Sequence, residues 1–395
     1  MKRAVSEFIG VLEKELRSLL KFWEDHAVDD TNGGFIGQIL SSGLRVKDAT
    51  KGAILNGRIL WSFSAASLYF QDQKYRALAD RAYQYIVDYF IDKKYGGVYW
   101  ELDAKGNPVN RRKQAYALGF ALYGLSEYYR ASGNEKSLLL AQELFWTLEK
   151  NFSDKKYGGY IEALGENWHP LSDMRLSERD ANFPKSMNTH LHILEPYTNL
   201  YRCWKNPILA ERIRHLIRIF LDRILHPETD HFQLFFEMDW TVRSEIVSFG
   251  HDIEGAWLLT EAAEALGDKT LLAEVQAKAV RMTDTTHREG SDSDGSLFYE
   301  RNGEHLDTDK HWWPQAEAMV GFVNAWEITG KQFYLDAAEK VWDFIDKRII
   351  DHSLGEWYWR VDAEGLPYSD DEKAGFWKCP YHNSRALMEL ARRLK

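Results

Sequence analysis

The chain of 395 residues is 45% hydrophobic and 14% aromatic, enough for a substantial core, and its 60 acidic against 50 basic residues give a formal charge of −10. A pI near 5.8 and the lack of any basic block exclude nucleic acid as a partner, and no stretch approaches the roughly 18 consecutive apolar residues of a membrane span. Two cysteines, Cys203 and Cys379, leave no material for a disulfide framework or a thiolate metal site.

Residues 1–23 place Phe8, Leu12, Leu16, Leu19 and Trp23 at steps of three and four, with charges between them. This predicts an amphipathic helix, not a signal peptide behind Lys2 and Arg3, and hence a cytoplasmic protein. A turn-and-strand signature then recurs: GGFIGQI at Gly33, GGVYWEL at Gly96, GGYIEAL at Gly158, GSLFYER at Gly295 and GEWYWRVD at Gly355, with a degenerate HFQLFFEMD at His231. The repeat is about 60 residues long and present six times.

Each turn lies between two helical patterns. Those before it, at 74–90, 138–152, 208–225, 271–286 and 333–349, carry apolar residues on one face and charges on the other. Those after it, at 53–69, 116–129, 187–204, 251–265, 315–328 and 382–394, are richer in small and apolar residues and form the more buried set. Six helix pairs without a linker or a shift in composition predict one all-α domain over 1–395. The expected fold is an (α/α)6 barrel of six helical hairpins with short β-hairpin-like loops at one mouth. An open solenoid has the same period, but the low charge of the second helix set favours closure.

Arg58, Tyr116, Asn188 with His192, His251 with Glu254, Trp313 with Glu317, and His382 fall near the starts of the second helices, 58 to 72 residues apart. In a closed barrel they converge at one mouth. Helical spacing puts His251 and Glu254 on one face, and likewise Asn188 with His192 and Trp313 with Glu317. His190 is turned roughly 200° from His192 and reads as structural, as do His26, His169, His215, His226, His231, His287 and His352. Asp252 is expected to cap its helix, and Glu254 to orient His251 or bind a hydroxyl.

A histidine at a helix start meets the positive end of the macrodipole, which keeps its imidazole neutral and basic. His251 and His382 are both so placed. Two such bases on different walls of a pocket reach opposite faces of one carbon, as inversion by proton transfer requires. Arg58, inside an apolar helix, is either a buried ion-pair partner or an anion stabiliser. Trp312, Trp313 and Trp377 beside turns suit the faces of sugar rings. His190, His192, His305 and His311 match no zinc spacing, so neither metal nor cofactor is expected.

The strings GAILNGRILWSFSAA from Gly52, SMNTHLHILEPYTNLY from Ser186, SFGHDIEGAWLL from Ser248, HLDTDKHWWPQAEAMVGFVNA from His305 and FWKCPYHNSRA from Phe376 resemble the cellobiose 2-epimerases, within the N-acylglucosamine 2-epimerase superfamily. The resemblance covers essentially the whole chain. It implies an (α/α)6-barrel enzyme that reversibly inverts C2 of the reducing-end sugar of β-1,4-linked disaccharides, with His251 and His382 as the acid/base pair and Arg58 holding the enediolate. It further implies Tyr116, Asn188, His192, Glu254, Trp313 and Trp377 as lining residues, Asp180 as the contact to the second sugar, and a small-molecule disaccharide as the partner of a monomer. The residues alone leave three rivals open: an inverting glycoside hydrolase using Asp180, Glu254 and Glu317; an aldose–ketose isomerase or monosaccharide epimerase; and a non-catalytic binding barrel.

Overall fold

The computed structural model describes residues 5–395, so Lys2 and Arg3 of the predicted first helix lie outside the described residues. Twelve helices occur among them: α1 (Val5–His26), α2 (Ala53–Phe70), α3 (Gln73–Tyr85), α4 (Ala115–Ser132), α5 (Glu135–Asn151), α6 (Met187–Cys203), α7 (Pro207–Ile219), α8 (Phe249–Leu266), α9 (Lys269–Gly290), α10 (Trp312–Thr329), α11 (Gln332–Phe344) and α12 (Tyr381–Arg393). Three of the odd-numbered helices widen into a final π turn, at Ile86–Phe90, Phe220–Ile224 and Ile345–Ile349. None of the helices is long and apolar enough to cross a membrane.

The even-numbered helices form an inner ring in which each packs on the next and α12 returns to α2. The odd-numbered helices lie outside them, α1 covering α12. The ring closes, so the chain is an (α/α)6 barrel and not an open solenoid. Composition explains the layering. In α2 every residue from Ala53 to Ala66 is buried, and in α4 every residue from Ala115 to Tyr128. By contrast α1 buries one stripe that includes the predicted Phe8, Leu12, Leu16, Leu19 and Trp23. Outer helices start on side-chain caps such as Asp72, Asn134 and Asn206. Inner helices approach closely where Gly119 of α4 faces α6: a Cβ there would lie 2.5 Å from the His192 carbonyl oxygen.

The hairpin-like loops are joined to one another by strand pairings between successive repeats. The residues just before an inner helix pair antiparallel with the glycine-turn strand of the following repeat: Lys51–Gly52 with Glu101–Leu102, Lys113–Gln114 with Ala163–Leu164, Lys185–Ser186 with Phe235–Phe236, Ile246–Ser248 with Glu300–Asn302, and Lys310–His311 with Arg360–Val361. Glu372–Ala374 pairs with Ile39–Leu40 and completes the circle. Local strand hairpins are added at 101–110 and 300–307, and single antiparallel bridges such as Val28–Phe35, Ile39–Arg45 and Leu164–Pro170 close further hairpin-like turns.

A buried ion pair repeats with these strands. Lys51–Asp29, Lys113–Asp92, Lys185–Asp154, Lys310–Asp292 and Lys373–Asp351 all lie between 2.6 and 2.8 Å. In the degenerate repeat Val247 stands where the lysine is expected, two residues before α8. There Asp252, rather than capping its own helix, accepts from the Phe232 amide and pairs with His231 Nδ1, each at 2.7 Å. In the last repeat Glu356 takes the place of the second glycine at a φ of 62°. Its carboxylate receives Trp23 of α1, Lys378, and Asn383 of α12, fastening the ends of the chain together.

Candidate active site

The N-termini of the inner helices point into one mouth, roofed by the loop that carries Arg175 to Asp180. Gln114 and Arg112 hold that loop through the carbonyls of Arg175 and Asp173, at 2.9 and 2.7 Å. Beneath it lie two adjoining cavities of about 480 and 520 Å³, with Asp180, Asn188 and His251 in the walls of both. Ten of the residues singled out from the sequence line the 480 Å³ cavity: Arg58, Tyr116, Asp180, Asn188, His192, His251, Glu254, Trp313, Trp377 and His382.

His251 and His382 face this cavity from α8 and α12, and both pack on the Trp313 ring, with centroids 4.6 and 5.7 Å away. His382 Nδ1 lies 2.6 Å from Glu317 Oε1. A carboxylate oxygen only accepts, so the proton sits on Nδ1 and the Nε2 lone pair is left free. His251 Nδ1 meets the Ser248 hydroxyl at 2.7 Å. A hydroxyl both donates and accepts, so this ring can present Nε2 with or without its proton. Burial pushes His251 down to about 3, helped by His192 and Arg58, and pushes His382 well below the ordinary histidine range, helped by Arg58 and Arg385. Both imidazoles are neutral at physiological pH.

Arg58 does not fit the first of its two readings, a buried ion-pair partner. Among the described residues no carboxylate lies within ion-pairing distance of it. Its Nη2 donates to Tyr116 Oη at 3.0 Å, its guanidinium rests 4.2 Å over Phe120 and 4.7 Å over Tyr381, and its buried Nε has no partner. Burial opposes the charge, but Tyr116, Cys379 and Tyr381 hold its proton more firmly than usual. The result is an uncompensated positive charge facing the cavity. Asn188 Oδ1 is likewise buried without a partner. His192 Nδ1 lies 3.0 Å from Glu195 Oε2, and burial drives this ring to about 4 despite that contact. Trp377 stands beside Tyr116 and Trp100, each 5.9 Å between centroids. Asp180 turns one carboxylate oxygen back onto the Ser177 amide and hydroxyl.

Glu254 lines the cavity as expected but does not orient His251. It makes no hydrogen bond with His251; its Oε1 accepts from Arg385 Nη2 at 2.7 Å and lies 3.7 Å from His382 Nδ1. The reason is Arg385 itself, which sequence reasoning missed together with Glu195. Arg385 also reaches Glu317 Oε1 at 2.6 Å, and Glu195 through Nη1. The sequence signal was an arginine one turn beyond His382, ahead of the apolar run that precedes Arg392 and Arg393. Trp312, read from the sequence as suited to sugar rings, also lines the cavity, and Tyr299, His311 and Trp359 line it without having been foreseen.

Of the four histidines weighed as metal ligands, His190 is committed to the Ser186 carbonyl and the Tyr160 amide, and His311 stacks on Tyr299 at 3.8 Å. Gly159 makes room for His190, because a Cβ there would lie 2.5 Å from its Nε2. Among the described residues, the one grouping of ligand-type side chains is Glu254, Glu317 and His382. The Arg385 guanidinium already occupies that cluster as its cation.

The profile of the N-acylglucosamine 2-epimerase (GlcNAc 2-epimerase) family matches residues 34–386. A cellobiose 2-epimerase of Bacteroides fragilis is 47% identical, over 96% of this chain and 97% of its own length. One of Ruminococcus albus is 39% identical, over 98% of each. The solved structure of the cellobiose 2-epimerase from Bacillus thermoamylovorans superposes with a TM-score of 0.94 at 38% identity, covering 98% of this chain and 100% of that one. The chain belongs to the N-acylglucosamine 2-epimerase family of carbohydrate epimerases.

Proposed function

We propose that the enzyme reversibly inverts C2 of the reducing-end glucose of β-1,4-linked disaccharides, cellobiose to glucosyl-mannose and lactose to epilactose. The observation that carries this reading is the pairing of two neutral imidazoles on separate helices, His382 buried and His251 partly so, with a guanidinium that has no carboxylate partner, all on one cavity. His382 assists opening of the sugar ring. One histidine then removes the C2 proton through Nε2, and Arg58 holds the resulting cis-enediolate, aided by Asn188 and His192. After rotation about C2–C3 or a handover between bases, the other histidine returns a proton to the opposite face of C2. A positioned acid/base contributes about 10²–10⁴ in rate and an oxyanion partner about 3–4 kcal/mol.

The disaccharide preference draws support from the family members named above and from the adjoining 520 Å³ cavity, where Asp180 contacts the second sugar in this reading. Hydrolysis fits poorly. Glu254 and Glu317 have oxygens within 4.8 Å of each other, whereas inversion by a pair of carboxyl groups needs about 6.5–9.5 Å. In our reading the enzyme acts as a cytoplasmic monomer without a cofactor or metal; the unbridged Cys203 and Cys379 suit a reducing compartment. Incubation with cellobiose followed by product analysis tests the assignment. A mannose-ended disaccharide is expected; a ketose-ended product assigns an isomerase instead, and free glucose a hydrolase.

A further inference from the structure

Three carboxylates, Glu195, Glu254 and Glu317, meet at the base of the cavity around the single guanidinium of Arg385, and all are buried. Every inner helix contributes to the surroundings: Arg58 from α2, Tyr116 and Tyr123 from α4, His192 and Glu195 from α6, His251 and Glu254 from α8, Glu317 from α10, and Tyr381, His382 and Arg385 from α12, with the Cys379 thiol just before it. The histidines are neutral, and Arg58 is turned to Tyr116. Three negative charges thus face one positive charge in a dry site, which favours the uptake of one proton.

Hydrogen bonding distinguishes the three acids. Glu195 accepts from Arg385, Tyr381 and His192, using both oxygens. Glu317 accepts from Arg385, from His382 and, at 3.0 Å, from Trp257 Nε1, also using both oxygens. Glu254 accepts one bond, from Arg385 to Oε1, while Oε2 is buried with no partner on the cavity wall. An ionised carboxylate leaves that oxygen bare at full desolvation cost, whereas a protonated one makes it a donor awaiting a ligand.

We propose that Glu254 is a neutral carboxylic acid in the resting enzyme and that its Oε2–H donates a hydrogen bond to an oxygen of the enediolate, opposite the contribution of Arg58. The proton stays on Glu254 throughout, so the group stabilises charge without transferring a proton. Burial and the adjacent Glu317 charge raise the Glu254 carboxyl well above the usual carboxylate range, in the same sense. A raised carboxyl keeps its proton to higher pH than usual and loses it as pH rises further, so the donor is lost on the alkaline side. This deepens the epimerase reading and rests on it.

The test compares the wild-type enzyme with Glu254→Gln and Glu254→Leu. An infrared difference spectrum of wild type against Glu254→Gln at neutral pH should show the carbonyl stretch of a protonated carboxylic acid in the wild type, shifted in D2O and absent from the variant. Glutamine keeps a neutral donor and should lower kcat less than about tenfold while flattening the alkaline limb of the pH profile; leucine should lower it about 10²–10³-fold, as for loss of an oxyanion donor. Absence of the infrared band, or glutamine and leucine variants equally impaired, overturns the inference. The band needs only the folded Glu254→Gln variant, so a misfolded leucine variant does not blunt the test. Failure of wild-type enzyme to exchange the C2 proton would instead remove the functional reading, leaving the band to report the protonation alone.

Discussion

Replacing Arg58 with methionine separates catalysis from stability. The guanidinium is buried with no carboxylate partner, and holding such a charge out of water costs several kcal/mol. Opposing this are contacts with Phe120 and Tyr381, about 1–2 kcal/mol each when desolvated, and a charged hydrogen bond to Tyr116 of about 1.5–3 kcal/mol. These contributions nearly cancel. Methionine keeps the length and apolar bulk, so Tm should hold within about 2 °C or rise. The reaction loses its charged oxyanion partner, and kcat should fall by at least about 10²–10³, some 3–4 kcal/mol, with KM little changed because the interaction forms in the transition state. Calorimetry and steady-state epimerisation of cellobiose measure the two effects on the same samples. A variant that loses several kcal/mol of stability while keeping kcat within tenfold would make Arg58 a structural residue and refute this reasoning.

His251→Ala and His382→Ala should each abolish C2 epimerisation while circular dichroism shows an intact helical fold; turnover comparable to wild type in either variant rejects the two-histidine scheme. Lys113→Met strands the fully buried Asp92 without its partner at 2.6 Å and should cost about 3–5 kcal/mol by denaturant unfolding, although the site lies outside the catalytic cavity. Acid should also destabilise the fold. Burial holds His190 and His251 at about 3, so the unfolded chain binds protons near 6.5 that the native state refuses. Stability contributed by the neutral rings is present above about pH 6.5 and is lost as pH falls, about 2 kcal/mol for each between pH 7 and 5. Unfolding midpoints across that range check this, and His190→Asn should weaken the dependence.

The sequence-level reading reached the helices, their pairing and the mouth residues because each rests on local periodicity that repeats every 60 or so residues. Arg58, His251 and His382 stood out because each falls within the first two turns of an inner helix. Features that depend on partners far apart in sequence were not legible. Glu254 was assigned to His251 on helical spacing, but α12 brings Arg385 from 131 residues away, and a full charge outcompetes a neutral ring for a carboxylate. Asp252 had a local role as a cap available, yet His231 and the Phe232 amide, 21 and 20 residues earlier, offered stronger bonds in a buried setting. The inter-repeat strands are two or three residues long, too short to show an alternating pattern. The buried lysine–aspartate pairs do follow the repeat, with a lysine two residues before α2, α4, α6 and α10, but charges in turns pass for solvated surface until burial is seen.

Proton exchange at C2 tests the central claim most directly. The wild-type enzyme incubated with cellobiose in D2O should place deuterium at C2 of the mannose-ended product and, with time, at C2 of recovered cellobiose, with none at the other ring carbons. Epimerisation without deuterium incorporation, or label appearing at C1 of a ketose, would contradict deprotonation and reprotonation of C2 by His251 and His382.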